Sequence, residues 1–277
     1  MNRRTALISI RKRFLQMTMI LLMSTVMAGI GTAESENVKS KEEPLMQAPN
    51  VALWIGGQVP ICFNGRANSK EAAWVKNALE HTWAAVAKID FQYSDICPFP
   101  GKTSYIRISW FAENGWGIGG WCGLGMGSPT EAAFGYCNSG DCNAAEYEEA
   151  FKGVAAHEIG HGLGFAHEHQ RDDRSPPANC LGPEPKRADY PTDADYQKAH
   201  GAWVTNIAVI SNGIKLSPSY DADSIMNYCR GATATSNLAL GYQLGYQAAD
   251  RLSVGDLYGA QQAYGVRMPY WLIFPNF

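Results

Sequence analysis

One stretch, His157 to Arg174 (HEIGHGLGFAHEHQRDDR), restricts what this chain can become more than any other. His157 and His161 stand four residues apart with Glu158 between them. Positions i and i+4 share a helix face, so both imidazoles can reach a single metal ion. Glu158 sits beside the first ligand and can reach an open coordination position without binding the metal. Gly164 comes three residues after the second histidine, where a chain leaving a helix through φ > 0 needs glycine. That turn brings His167 back as a third ligand. Three imidazoles and one vacant position describe a catalytic zinc site, not a closed structural one. Four of the chain's six histidines fall inside this stretch, which argues against ordinary surface or core histidines.

At 277 residues the chain has room for one large domain or two small ones. Residues 1–13 carry Arg3, Arg4, Arg11, Lys12 and Arg13 and no acid, and Phe14 to Gly31 is then almost wholly apolar. Small residues follow before Glu34, so residues 1–33 read as a secretory signal peptide. The rival is an uncleaved anchor, since the apolar run comes close to spanning length. Removing those five positive charges takes the formal −3 to −8, with 18 basic against 26 acidic residues. Such a balance fits neither a nucleic-acid partner nor an anionic membrane surface. Seven cysteines behind an export signal suggest disulfides formed in an oxidising compartment. The pairing taken here is Cys62–Cys97, Cys137–Cys142 and Cys180–Cys229 with Cys122 free. Pairing of Cys122 with Cys137 or Cys142 is the alternative.

Residues 34–50 are polar and aperiodic, as in a linker or short pro-segment. Val51 to Phe63 reads as a first strand broken by Gly56-Gly57. Asn68 and Glu71 have capping-box spacing, opening a helix whose Val75, Leu79, Trp83 and Val86 share a core face. Ile89 to Tyr93 and Ser104 to Trp110 alternate like strands. The glycine-rich Gly115 to Gly127 suits either a surface loop or the rim of a substrate cleft. Ala144 to Leu163 is the clearest helix. Tyr147, Phe151, Val154, Ala155 and Ile159 give it a buried face, and Glu146, Glu148 and Glu149 complement the dipole at its start. A further helix is expected around Asp195 to Ile210. Ser253 and Asp256 cap a last helix that Gly265 ends. His81 and His200 receive no role.

The pattern HExxHxxGxxH followed by a Met-turn resembles that of the metzincin metalloproteases. Within them, His167-Glu168-His169-Gln170-Arg171-Asp172-Asp173-Arg174 is similar to the astacin signature HEHxRxDR. Ser224-Ile225-Met226-Asn227-Tyr228 is similar to the astacin Met-turn SIMHY, with Asn227 in place of histidine. The resemblance implies an α+β metzincin-type zincin. Its parts would be a twisted mixed sheet, an active-site helix, and a C-terminal subdomain carrying the Met-turn and final helix. The catalytic domain would span residues 51–265, with 266–277 as a tail. It implies that His157, His161 and His167 bind one catalytic zinc ion, with Tyr228 as a further ligand that swings away when substrate binds. Glu158 would be the general base, Met226 the floor beneath the metal, and Glu168 the receptor of a mature N-terminal ammonium. The expected protein is a secreted or periplasmic monomeric endopeptidase acting on peptides or proteins, with no stable membrane association after signal cleavage. Two alternatives stand beside it: a secreted zinc protein that recognises peptides without cutting them, and a zinc hydrolase acting on a cell-wall crosslink.

Overall fold

Residues 45–113, 119–137, 145–176, 180–216, 219–230 and 252–267 are described in the computed structural model of the chain. The expected signal peptide, the tail from residue 268 onward and Cys142 lie outside them. Among the described residues no helix is long and apolar enough to cross a membrane.

Strand β1 (Met46–Gln47) pairs antiparallel with β7 (Ile214–Lys215) in a small sheet. The main sheet holds β2 (Gln58–Phe63), β3 (Asp90–Ser94), β4 (Ile106–Glu113), β5 (Gly120–Cys122) and β6 (Thr130–Cys137). Its order is β3-β2-β4-β6-β5, with four parallel strands and β5 running antiparallel at one edge. Helices α1 (Lys70–His81), α2 (Trp83–Val86) and α3 (Ala145–Gly162) join this sheet around the core. Helices α4 (Asp193–Asn206) and α5 (Val254–Tyr264) follow. The α+β architecture with a mixed sheet, an active-site helix and a final helix is as expected.

Parallel strands are buried on both faces and read as continuous apolar runs. In β2, Val59, Ile61 and Phe63 are fully buried, as are Ile106 and Ile108 of β4. Against them α3 lays Phe151, Val154, Ala155 and Ile159, all at zero exposure. Each large side chain of this kind stabilises the fold by about 1.5–3 kcal/mol when fully buried. Trp83 of α2 is buried with them and donates its indole N–H to the Ala156 carbonyl at 2.8 Å, tying α2 to α3.

Several boundaries differ from those read in the sequence. Ser69, not Asn68, caps α1, its hydroxyl accepting from Ala72 N–H at 3.2 Å. Glu71 instead forms an ion pair with Arg66. The helix also breaks at Thr82, whose hydroxyl turns back onto the Ala78 carbonyl. Strand β5 falls inside the glycine-rich stretch. The packed body takes in Leu45, Met46 and Ala48, which are buried although they precede residue 51. Two disulfides match the first choice of pairing, Cys62–Cys97 and Cys180–Cys229. Cys122 is free, so its pairing with Cys137 or Cys142 is excluded.

Candidate active site

Helix α3 carries His157 and His161 on adjacent turns and ends at Gly162. Gly164 then takes φ 104°, the conformation expected of it, and its N–H closes onto the His161 carbonyl at 2.8 Å. The chain returns through Phe165 and Ala166 to His167. The three imidazoles converge, with one nitrogen of each lying within 4.8 Å of the others. All three rings are buried.

Each ring has its tautomer set by an acceptor on its Nδ1 side. His157 Nδ1–H donates to the Ile225 carbonyl at 2.7 Å, and His161 Nδ1–H to the Phe165 carbonyl at 2.8 Å. His167 Nδ1 meets Gln170 Oε1 at 3.1 Å. Gln170 spends its amide N–H groups on the Thr205 and Ala208 carbonyls, so its oxygen faces the imidazole as an acceptor. The proton therefore sits on Nδ1 of all three rings, leaving three Nε2 lone pairs aimed inward. His161 and His167 bring these nitrogens to 3.0 Å. Two lone pairs so close repel each other unless a cation lies between them. Three converging imidazole nitrogens, each on a ring whose other nitrogen is already bonded, are a donor set that fits zinc. Burial also holds these rings neutral. It pushes His161 down to about 4, and His157 and His167 well below the usual histidine range. Such outer partners fix ligand orientation in metal sites.

Glu158 points from the same turn toward β5. Its carboxylate accepts the backbone N–H of Cys122, while burial raises its carboxyl to about 8. A cation beside it would favour the ionised form again. The close approach of β5 depends on Gly120, where a Cβ would stand 3.0 Å from Glu158 Cγ. Gly160 plays the same part below the histidines. A Cβ there would lie 2.5 Å from Met226 Sδ and 3.0 Å from Trp83 Cζ2. Both neighbours are fully buried, so neither can yield cheaply.

The turn 224–228 is held by Asp256 of α5. Its carboxylate accepts from Ser224 Oγ at 2.6 Å, Ile225 N–H at 2.8 Å and Ser253 N–H at 3.0 Å. Ser253 and Asp256 also form the expected capping box. One buried side chain thus caps the final helix and anchors the turn whose Ile225 carbonyl orients His157. Asn227 donates to Tyr220 Oη and to the Asp221 carbonyl, and accepts the Cys229 N–H. Tyr228 lies with its ring centroid 4.3 Å from that of His167 and 5.7 Å from that of His157.

Glu168 is fully buried, accepting the Asp221 N–H and standing 3.3 Å from Arg171. Burial raises its carboxyl to about 9, with Arg171 opposing the rise. Asp221 and Arg171 are the described residues that Glu168 meets, and its contact with a mature N-terminal ammonium stays an expectation of the resemblance. His81 and His200 lie apart from this group, the first bonded to Asn77 in its own helix and the second paired with Glu184. Sequence reasoning passed over Gly120, Gly160, His169, Gln170 and Asp256 as parts of the site. Two of them carried a signal, His169 as part of the HEHxRxDR run and Asp256 as a helix cap.

Residues 46–240 match the model of the astacin peptidase family. Tolloid-like protein 2 of Mus musculus and of Homo sapiens are each 25% identical to the chain over 180 residues, 64% of its length. The chain spans only 14% of the length of these curated relatives. Among solved structures, myroilysin superposes with a TM-score of 0.51 at 20% identity, covering 80% of this chain and 100% of that one, a likeness of fold. Since the match runs through both the histidine motif and the Met-turn, the chain belongs to the astacin family of peptidases.

Proposed function

We infer that this chain is a zinc-dependent endopeptidase acting on peptides or proteins outside the reducing cytosol. The observation that carries the reading is the arrangement of three inward-facing Nε2 atoms with a carboxylate on the same helical turn. His157, His161 and His167 would hold the ion, and Tyr228 would be a further ligand. When bound, zinc supplies Lewis acidity and a water acidified toward a pKa of about 7. Glu158 takes the proton from the water attacking the scissile carbonyl and returns it to the leaving amine. The Cys122 N–H holds that carboxylate in place. Tyr228, whose ring lies beside His167 and His157, would donate a hydrogen bond to the developing oxyanion, an interaction worth about 2.7–4 kcal/mol. Among the described residues β5 is the last strand of the sheet, so the part of its outer backbone edge that Glu158 does not take can pair with an extended substrate. The disulfides Cys62–Cys97 and Cys180–Cys229 suit an oxidising compartment.

The test is cleavage of casein and of a peptide library by the purified mature protein. Cleavage is expected to vanish with a zinc chelator and to return on adding stoichiometric zinc. Zinc-dependent binding of peptides with no cleavage would make the chain a recognition protein instead. Inertness toward peptides together with opening of peptidoglycan crosslinks would move the substrate to the cell wall.

A further inference from the structure

His169 is fully buried two residues beyond the third proposed ligand, yet it turns away from the metal position. Its Nε2 lies 2.6 Å from the Asn206 carbonyl at the end of α4. Its Nδ1 lies 3.1 Å from the backbone nitrogen of Tyr228. A carbonyl can only accept and a backbone N–H can only donate. The ring is therefore neutral, with its proton on Nε2 and its Nδ1 lone pair committed to Tyr228. The imidazole also lies between two neighbours, 4.8 Å from the His167 ring at 26° and 4.6 Å from the Tyr228 ring at 31°.

The far end of this link is firm. The last carbonyls of a helix lack intrahelical partners, and those at the end of α4 are taken up by this stretch. His169 takes Asn206, Gln170 takes Thr205 and Ala208, and Arg174 donates to Ile207. Tyr228 thus hangs, through one imidazole, from the same helix end that fixes His167 through Gln170.

We propose that His169 is a positioning residue for Tyr228, holding its backbone N–H so that the phenol keeps its place beside the proposed metal ligands. The inference rests on the role given to Tyr228 above. It assigns His169 no contact with substrate or metal.

Two near-isosteric replacements separate its two bonds. In His169→Asn the amide oxygen takes the place of Nδ1 and keeps the bond to Tyr228 while losing Asn206. In His169→Gln the terminal amide reaches Asn206 but leaves the Tyr228 N–H without its acceptor. His169→Gln is expected to lower kcat roughly tenfold, the lower end of what outer-shell partners contribute, with KM and zinc content little changed. His169→Asn should keep most of the rate. In a Tyr228→Phe background, His169→Gln should cost nothing further, because residues acting through one another are not additive. Amide hydrogen exchange at Tyr228, read with and without zinc, should quicken in His169→Gln and not in His169→Asn.

Equal losses in the two variants, or full additivity with Tyr228→Phe, would overturn the proposal. So would failure of both variants to fold, which assigns the ring to packing. Slow Tyr228→Phe beside an unimpaired His169→Gln overturns this inference alone. Tyr228→Phe at the wild-type rate removes the role of Tyr228 and the inference with it.

Discussion

Glu158→Gln is expected to keep the fold and one zinc ion per chain while kcat/KM for peptide hydrolysis falls by about 10²–10⁴-fold. The amide has the shape of the carboxylate, and its oxygen still accepts the Cys122 N–H, so the strand–helix contact at Gly120 survives. What it lacks is a basic oxygen to receive a proton. The three imidazoles keep their own acceptors, none of which is Glu158. Zinc content is therefore the control that separates a missing base from a damaged site. Wild-type turnover by a zinc-loaded Glu158→Gln enzyme would remove Glu158 from the mechanism.

Asp256→Ala is expected to produce the largest loss of stability, about 3–5 kcal/mol. Its carboxylate serves three donors in a fully buried position: Ser224 Oγ, Ile225 N–H and Ser253 N–H. Each buried donor left without a partner costs about 1–3 kcal/mol, and the three share one acceptor, so their losses do not simply add. The damage reaches the histidines, because the Ile225 peptide that loses its N–H partner is the one whose carbonyl orients His157. Zinc affinity should fall alongside the denaturation midpoint. A variant as stable as the parent would show that α5 does not anchor this turn.

The parts of the site that were legible in the sequence are those written at helical spacing. His157, Glu158 and His161 lie on one helix, and Gly164 ends it at the left-handed φ its position demands. The core face of α3 was equally readable, since Tyr147, Phe151, Val154, Ala155 and Ile159 recur at the right interval and are all buried. Strand β5 was hidden because glycine marks loops. Here Gly120 serves a close backbone approach to Glu158, a reason that exists only in three dimensions. The one-residue error at the cap of α1 arose because Asn68 and Ser69 are both good caps and spacing alone could not choose between them. The supports of the proposed ligands were out of reach for another reason. Asp256 meets Ile225 across 31 positions, and Gln170 meets Thr205 across 35. No local pattern announces such a partner.

Everything chemical proposed for this chain requires one zinc ion at the meeting point of three Nε2 atoms. The direct measurement is metal analysis of the purified mature protein together with anomalous diffraction at the zinc edge. One zinc ion per chain, bound by His157, His161 and His167, is the expected result. A folded protein with less than stoichiometric zinc after metal supplementation, or zinc held by other residues, would contradict it.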